Sequence, residues 1–526
     1  MIKIILSIFI LGFLAGCSSF DEVKYSPRIS PVSAEFLVNK EHFVACLDSN
    51  KQDVDRVLRR AAEADGVILY FHGGLSAREY VEDDLGPWLL KSIFQDQNLS
   101  LPENKNIYPI FVNYDAGIDL KTLKQFIIGL GVDAVSEKVQ ERLEQEINKA
   151  SFPKSVIKSQ NYALASRILL SDDKALLVDN QEMDEKFSRI LKDDDKQSEI
   201  ALTLAKDPIL FEAASQAKYI IQIEASKKGI PNNKILTVPN PMNIVVRSLI
   251  RFAIKTNHQF EPTIIEEVLR ELKLLDLDPA GFAQSHWKKV YNNGKSCWED
   301  NRNGRYLIDG LLAIQEEKES NNKKYTINTL SHSAGSIPVG FLVNHMAYET
   351  EQQLDNIVML VPAISQTAFR KTFILNKHVY KNLYNFVLDL DAEENDKLLW
   401  GAYPASLLYF VSGVAEQKGF GDKMLLLEQH LAKDRAPYKY SWYQWIFGEC
   451  PETVWKFFDE NPSSRIYYAR EFTTNDRDAD AASHKCTKLP WVSRDLAKRV
   501  LHIFTGKDES SFVLDFTEGY QCSKHE

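Results

Sequence analysis

Ser333 stands in the run Ser331-His332-Ser333-Ala334-Gly335, directly after the apolar stretch 325–330. A serine hydroxyl becomes a useful nucleophile when a sharp strand-to-helix turn lifts it clear of the backbone. Small residues two before and two after it let strand and helix pass closely. Ser331 and Gly335 fill those positions; Ser331 replaces the glycine of G-x-S-x-G and is still small. A helix starting after Ser333 would point its positive end at the hydroxyl. A second stretch offers complementary chemistry. The apolar run 66–71 ends in His72-Gly73-Gly74, and a glycine-rich turn there can aim a backbone N–H at a developing oxyanion. The N–H groups of Gly74 and Ala334 are the pair expected to hold that charge. His72 reads as structural, its ring pinning the turn.

These residues need a sheet to position them. Apolar runs at 66–71, 107–113, 325–330, 356–361, 383–390 and 465–472 read as buried strands, with a helix expected around 53–64 and helical patterns between most of the others. Buried strands alternating with helices predict an α/β fold, a mainly parallel sheet flanked by helices on both faces. Residues 114–324 are mostly amphipathic and charged and read as a large helical insertion. Residues 397–464 are aromatic-rich and read as a smaller one. Ligands bind beyond the carboxyl ends of such strands, so both insertions are expected to cap the site; the alternative for the longer one is a separate binding domain. The expected plan is a signal peptide at 1–16, a lead-in at 17–60, a core at 61–120 and 300–526, and a cap at 121–299.

Four short motifs carry a family resemblance: His72-Gly73-Gly74-Leu75; Tyr108-Pro109-Ile110-Phe111 with Ala116-Gly117; His332-Ser333-Ala334-Gly335; and Ser406-Leu407-Leu408-Tyr409-Phe410-Val411-Ser412. Together they resemble the α/β-hydrolase superfamily, and more closely a bacterial group of it whose function is largely unassigned. The resemblance covers 66–120 and 300–490 and not the middle of the long insertion. It implies the α/β-hydrolase fold and a triad in the chain order serine, acid, histidine. The acid is then expected after the fifth run, where several carboxylates compete. Asp396 precedes Leu398-Leu399, similar to the pattern after the acid in many relatives; Asp391, nearer the strand end, is the alternative. The base is expected after the sixth run, where His484 falls with a helix following; His502, further on, reads as an ordinary packed histidine. The acid would hold the imidazole's tautomer and offset its developing charge.

Composition bounds the rest. The chain has 526 residues, 44% hydrophobic and 26% charged, enough for a sizeable core. A net charge of −10 without a long Lys/Arg run argues against nucleic acid as a partner. No HExxH or GxxxxGK[ST] motif supports a zinc peptidase or a nucleotide hydrolase, and neither a metal nor a cofactor is expected. Residues 1–3 are a short positive start, 4–14 an apolar run too short for an ordinary span, and Leu14-Ala15-Gly16-Cys17 reads as a bacterial lipoprotein signal, cleaved before Cys17 with a lipid on its thiol. Ser18 and Ser19 include no retention-type aspartate, which favours the periplasmic side of the outer membrane in a cell that has one. An exported protein meets an oxidising compartment. The five other cysteines, Cys46, Cys297, Cys450, Cys486 and Cys522, are odd in number, so at least one thiol stays free; their connectivity does not follow from sequence. The expectation is a lipid-anchored serine hydrolase of the cell envelope, acting on a small-molecule or lipid acyl substrate and touching the membrane through Cys17. The alternative is an inactive hydrolase scaffold serving as an envelope interaction protein.

Overall fold

The computed structural model describes residues 40–74, 76, 78–101, 105–117, 135, 138–139, 141–145, 157–170, 180–227, 241–255, 265–266, 269, 280–388, 406–412, 454–468 and 494–514. Its strands are β1 (Phe43–Ala45), β2 (Gly66–Phe71), β3 (Ser100–Leu101), β4 (Lys105–Asn113), β5 (Thr326–His332), β6 (Leu354–Leu360), β7 (Tyr380–Val387) and β8 (Ser464–Tyr468). Seven of them lie side by side in the order β1-β4-β2-β5-β6-β7-β8, every neighbouring pair parallel; β3 adds a short antiparallel pair with β4. The α/β class expected from the sequence is what forms. All six residues of β2 are buried, as a strand covered on both faces requires.

The helices follow from their patterns. α1 (Lys51–Glu63) starts at Asn50, whose side chain accepts from the Gln52 N–H, and it buries Val54, Val57 and Ala61 on one stripe. After α2 (Gly86–Ser92) and β4, the chain passes through α3 (Ile157–Leu170), α4 (Asn180–Leu191), α5 (Asp194–Leu204), α6 (Pro208–Lys227) and α7 (Pro241–Lys255). These five pack on one another around α7, which buries Met242, Ile244, Val245, Val246, Leu249 and Ile250. Next come α8 (Ala280–Ser296) and α9 (Asn303–Ser320), then α10 (Ser336–Glu349) between β5 and β6; α11 (Val454–Glu460) and α12 (Arg494–Thr505) complete the set of longer helices among the described residues. α9 packs against α1, and α8 against α10. No helix of the described residues is long and apolar enough to cross a membrane.

Two further features hold this frame. Asn328, Asn356 and Asn382 occupy one register row of β5, β6 and β7. Their amides join in a chain: Asn382 Nδ2 donates to Asn356 Oδ1 (3.1 Å), Asn356 Nδ2 to Asn328 Oδ1 (2.7 Å), and Asn328 Nδ2 to the Val67 carbonyl of β2 (3.0 Å). The row pins register across four strands. The second is a disulfide between Cys46, just after β1, and Cys297, just after α8, 251 residues apart and both fully buried. Arg302 Nη1 donates to the Leu47 carbonyl (2.6 Å) and the Gly304 N–H to the Cys46 carbonyl (3.1 Å), so the corner between α8 and α9 is tied to the end of β1.

Candidate active site

β5 runs straight into a single tight turn, Ser333–Gly335, and then into α10. Ser333 takes φ +50°, the left-handed region that a non-glycine residue enters at a cost of about 1–2 kcal/mol. Gly335 is obligatory in this turn. A Cβ there would lie 2.4 Å from the Phe71 carbonyl oxygen and 2.8 Å from that of His72, so the turn passes directly over the end of β2. β2 and β5 are neighbours in register from Gly66–Thr326 to Phe71–Ser331, which brings the turns after both strands together. A Cβ on Gly73 would come 2.8 Å from His332 Nδ1 and 3.6 Å from Ser333 Cβ, and one on Gly74 would come 3.0 Å from Ala334 Cβ. Ser333, Ala334, Gly73 and Gly74 therefore form one cluster at the carboxyl edge of the sheet. α10 points its positive end at it, with Pro338 tolerated in the first helical turn, where N–H groups lack helical partners.

The turn after β2 is fixed from beneath. His72 is fully buried and stacks on Tyr114 with ring centroids 4.6 Å apart. Tyr114 donates its hydroxyl to the His72 carbonyl at 2.8 Å, and the Ser76 N–H closes the turn on the Gly73 carbonyl at 3.2 Å. His72 Nδ1 lies 3.0 Å from the Gly73 carbonyl oxygen and Nε2 3.3 Å from Asn113 Oδ1, the last residue of β4. Burial disfavours the imidazolium, outweighing the Gly73 and Asn113 hydrogen bonds, and holds the ring's pKa down to about 4. His72 is thus a neutral pin at neutral pH, as its position in the sequence suggests. Asn113 Oδ1 also accepts from the Asp115 N–H (3.2 Å), and α8 grips Asp115 from the other side through Asn293 Nδ2 to its carbonyl (3.0 Å) and Lys289 to its carboxylate (2.9 Å).

Left-handed residues recur along this edge. Asp115 after β4, Ser333 after β5 and Val361 after β6 all have φ +50°. The expected strand 356–361 ends one residue sooner than its apolar run, because Val361 turns back. The Ser333 carbonyl accepts from two donors, the Ala363 N–H at 3.0 Å and Ser336 Oγ at 2.8 Å.

Of the residues expected to act together, Ser333, Ala334 and Gly74 are adjacent. His484, Asp396, Asp391 and Cys17 lie outside the described residues, as do Cys450, Cys486 and Cys522. His502 is not packed in the core: it is exposed on α12 and donates from Nδ1 to the Lys507 carbonyl at 2.6 Å. Sequence reasoning missed Asn113, Val361 and Ala363. A polar residue closing the apolar run 107–113 was a usable signal for Asn113; nothing in Val361-Pro362-Ala363 announces a left-handed turn. No family model, curated protein or solved structure matches this chain.

Proposed function

We propose that this protein is a serine hydrolase of α/β-hydrolase type that cleaves an acyl bond, an ester first, in a small-molecule or lipid substrate. The observation that carries this reading is the left-handed Ser333 on a strand-to-helix turn packed against Gly73-Gly74. In this reading His484 takes the Ser333 Oγ proton as that oxygen bonds to the acyl carbon. The Gly74 and Ala334 N–H groups receive the oxyanion. Its collapse breaks the bond to the alcohol, which leaves with the proton from His484. Water then attacks the acyl-serine in the same way, gives its proton to His484, and releases the carboxylic acid and free Ser333. Asp396, or alternatively Asp391, orients His484. β7 and β8 run parallel to β5, so the chain leaves both at the edge where Ser333 stands; that supports drawing the acid and the base from the segments that follow them. The reaction calls on no cofactor.

Residues 121–299, together with 397–464, would cap the substrate. A lipid on Cys17 would hold the enzyme at the bacterial cell envelope, and the buried Cys46–Cys297 disulfide suits an oxidising compartment. Purified wild type should hydrolyse p-nitrophenyl esters and react with a fluorophosphonate, Ser333 Oγ displacing fluoride from phosphorus; Ser333→Ala should do neither. A folded wild type inert to both favours the scaffold reading. Cys17→Ser should abolish metabolic labelling with a palmitate analogue, and persistent label would refute the anchor.

A further inference from the structure

We propose that the turn after β6 is a positioning element that aims the Ala334 N–H at the oxyanion, a role that rests on reading Ser333 as the nucleophile. Val361 is β-branched, 2% exposed, left-handed at φ +50° and followed by Pro362. Each fact works against the others. A branched side chain crowds left-handed backbone, and a following proline pushes the preceding residue toward extended conformations. A residue in that state persists only where its surroundings over-determine it, and such residues collect at functional sites.

The hydrogen bonds show what the reversal achieves. In a regular parallel strand the N–H groups of residues two apart point to the same neighbour. Here the Val361 N–H goes to the Phe386 carbonyl of β7 at 2.9 Å, and the Ala363 N–H goes the opposite way, to the Ser333 carbonyl at 3.0 Å. The left-handed step carries the chain from one side to the other. Ser336 Oγ donates to the same carbonyl at 2.8 Å, so that oxygen is held by two donors. The Ser333 C=O and the Ala334 N–H belong to one planar trans peptide, in which they point in opposite directions. Fixing the carbonyl therefore fixes the N–H. The turn after β6 reaches the reacting centre through that peptide, without touching substrate.

The test compares wild type, Ala363→Pro and Val361→Gly in full-length protein. Labelling by a fluorophosphonate is followed against time and concentration, with thermal unfolding in parallel. Ala363→Pro removes the donor. The Ala334 N–H remains and Ser336 Oγ still holds the carbonyl, so the maximal labelling rate should fall about tenfold, part of the ~100-fold loss that deleting an oxyanion donor outright brings, while the half-saturating probe concentration stays at the wild-type value and the unfolding midpoint falls by no more than one lost hydrogen bond explains. Ala363→Ser keeps the N–H and should label at the wild-type rate. Wild-type labelling of Ala363→Pro would overturn this inference alone; a folded wild type that does not label would overturn the nucleophile reading and this one with it. If Ala363→Pro fails to fold, Val361→Gly decides. Glycine samples left-handed and extended backbone alike and removes the buried Val361 side chain that helps seat the turn, so in protein that still folds labelling should slow about tenfold, a cost of about 1.4 kcal/mol in the barrier. A wild-type rate in that variant would overturn the inference.

Discussion

Replacing Gly335 by alanine places a methyl group where the chain has no room. The new Cβ would sit 2.4 Å from the Phe71 carbonyl oxygen, 2.8 Å from that of His72 and 2.9 Å from the Phe71 carbonyl carbon. Ordinary contact begins near 3.4 Å, so β2 and the turn after β5 must separate by about 1 Å. All three obstructing atoms are backbone within or beside a central strand, and no side chain can rotate away. Overpacking of this kind costs about 1–3 kcal/mol, and Gly335→Ala belongs at the upper end. The same displacement separates Ser333 and Ala334 from Gly73 and Gly74. A shift of about 1 Å at a reacting centre lowers the rate about 100-fold. Gly506→Ala is the matched control. Gly506 has φ +70°, and a Cβ there would meet no atom within 4 Å. Alanine at 506 therefore brings only left-handed strain, about 1 kcal/mol, far from the site in sequence and after α12. Denaturant unfolding and the rate of fluorophosphonate labelling read the two effects. Gly335→Ala should lose both stability and labelling, and Gly506→Ala a little stability alone. Wild-type stability and labelling in Gly335→Ala would refute the close approach of the two turns.

Three other perturbations reach different parts of the frame. His72 takes its proton near pH 6.5 when unfolded and near pH 4 when folded. Between those values the unfolded chain binds the extra proton, so stability present above pH 6.5 is lost as pH falls, by about 3 kcal/mol in total. In His72→Gln the slope of unfolding free energy against pH should flatten by about one proton over that window; an unchanged slope would contradict the buried neutral ring. Breaking the Cys46–Cys297 link releases a loop of 251 residues, and the loop-closure entropy sets an upper loss of about 5 kcal/mol. Cys46→Ser should unfold at clearly lower denaturant than wild type without reductant, and coincident transitions would count against the bond. Asn356→Ala strips the donor from the buried Asn328 Oδ1 and should cost about 1–3 kcal/mol, measured by denaturant unfolding. Because that row lies at the opposite end of β5 from Ser333, labelling of the folded variant should hold.

The parts of this fold that were legible in the sequence are those with a strong local signature. β2, β4 and β5 are apolar runs closed by turn residues, and the small residues around Ser333 announce a tight turn. β1 was not legible: Phe43–Ala45 is three residues long, too short for periodicity to register, and it exists because β4 offers an edge to pair with. The asparagine row was hidden for another reason. Asn328, Asn356 and Asn382 look like three unrelated polar residues until parallel pairing sets them in one line. The partner of Cys46 is likewise a matter of three-dimensional return, since α8 comes back to β1 only after the long helical segment. Val361 reads as one more strand residue, and its reversal is imposed by the bonds made on either side of it.

The central claim is that Ser333 is the nucleophile, and the most direct measurement is the address of its covalent adduct. Wild-type protein treated with a fluorophosphonate, digested and sequenced by mass spectrometry should carry one phosphonyl group, on Ser333. An adduct on another residue, or none on folded protein, would contradict it.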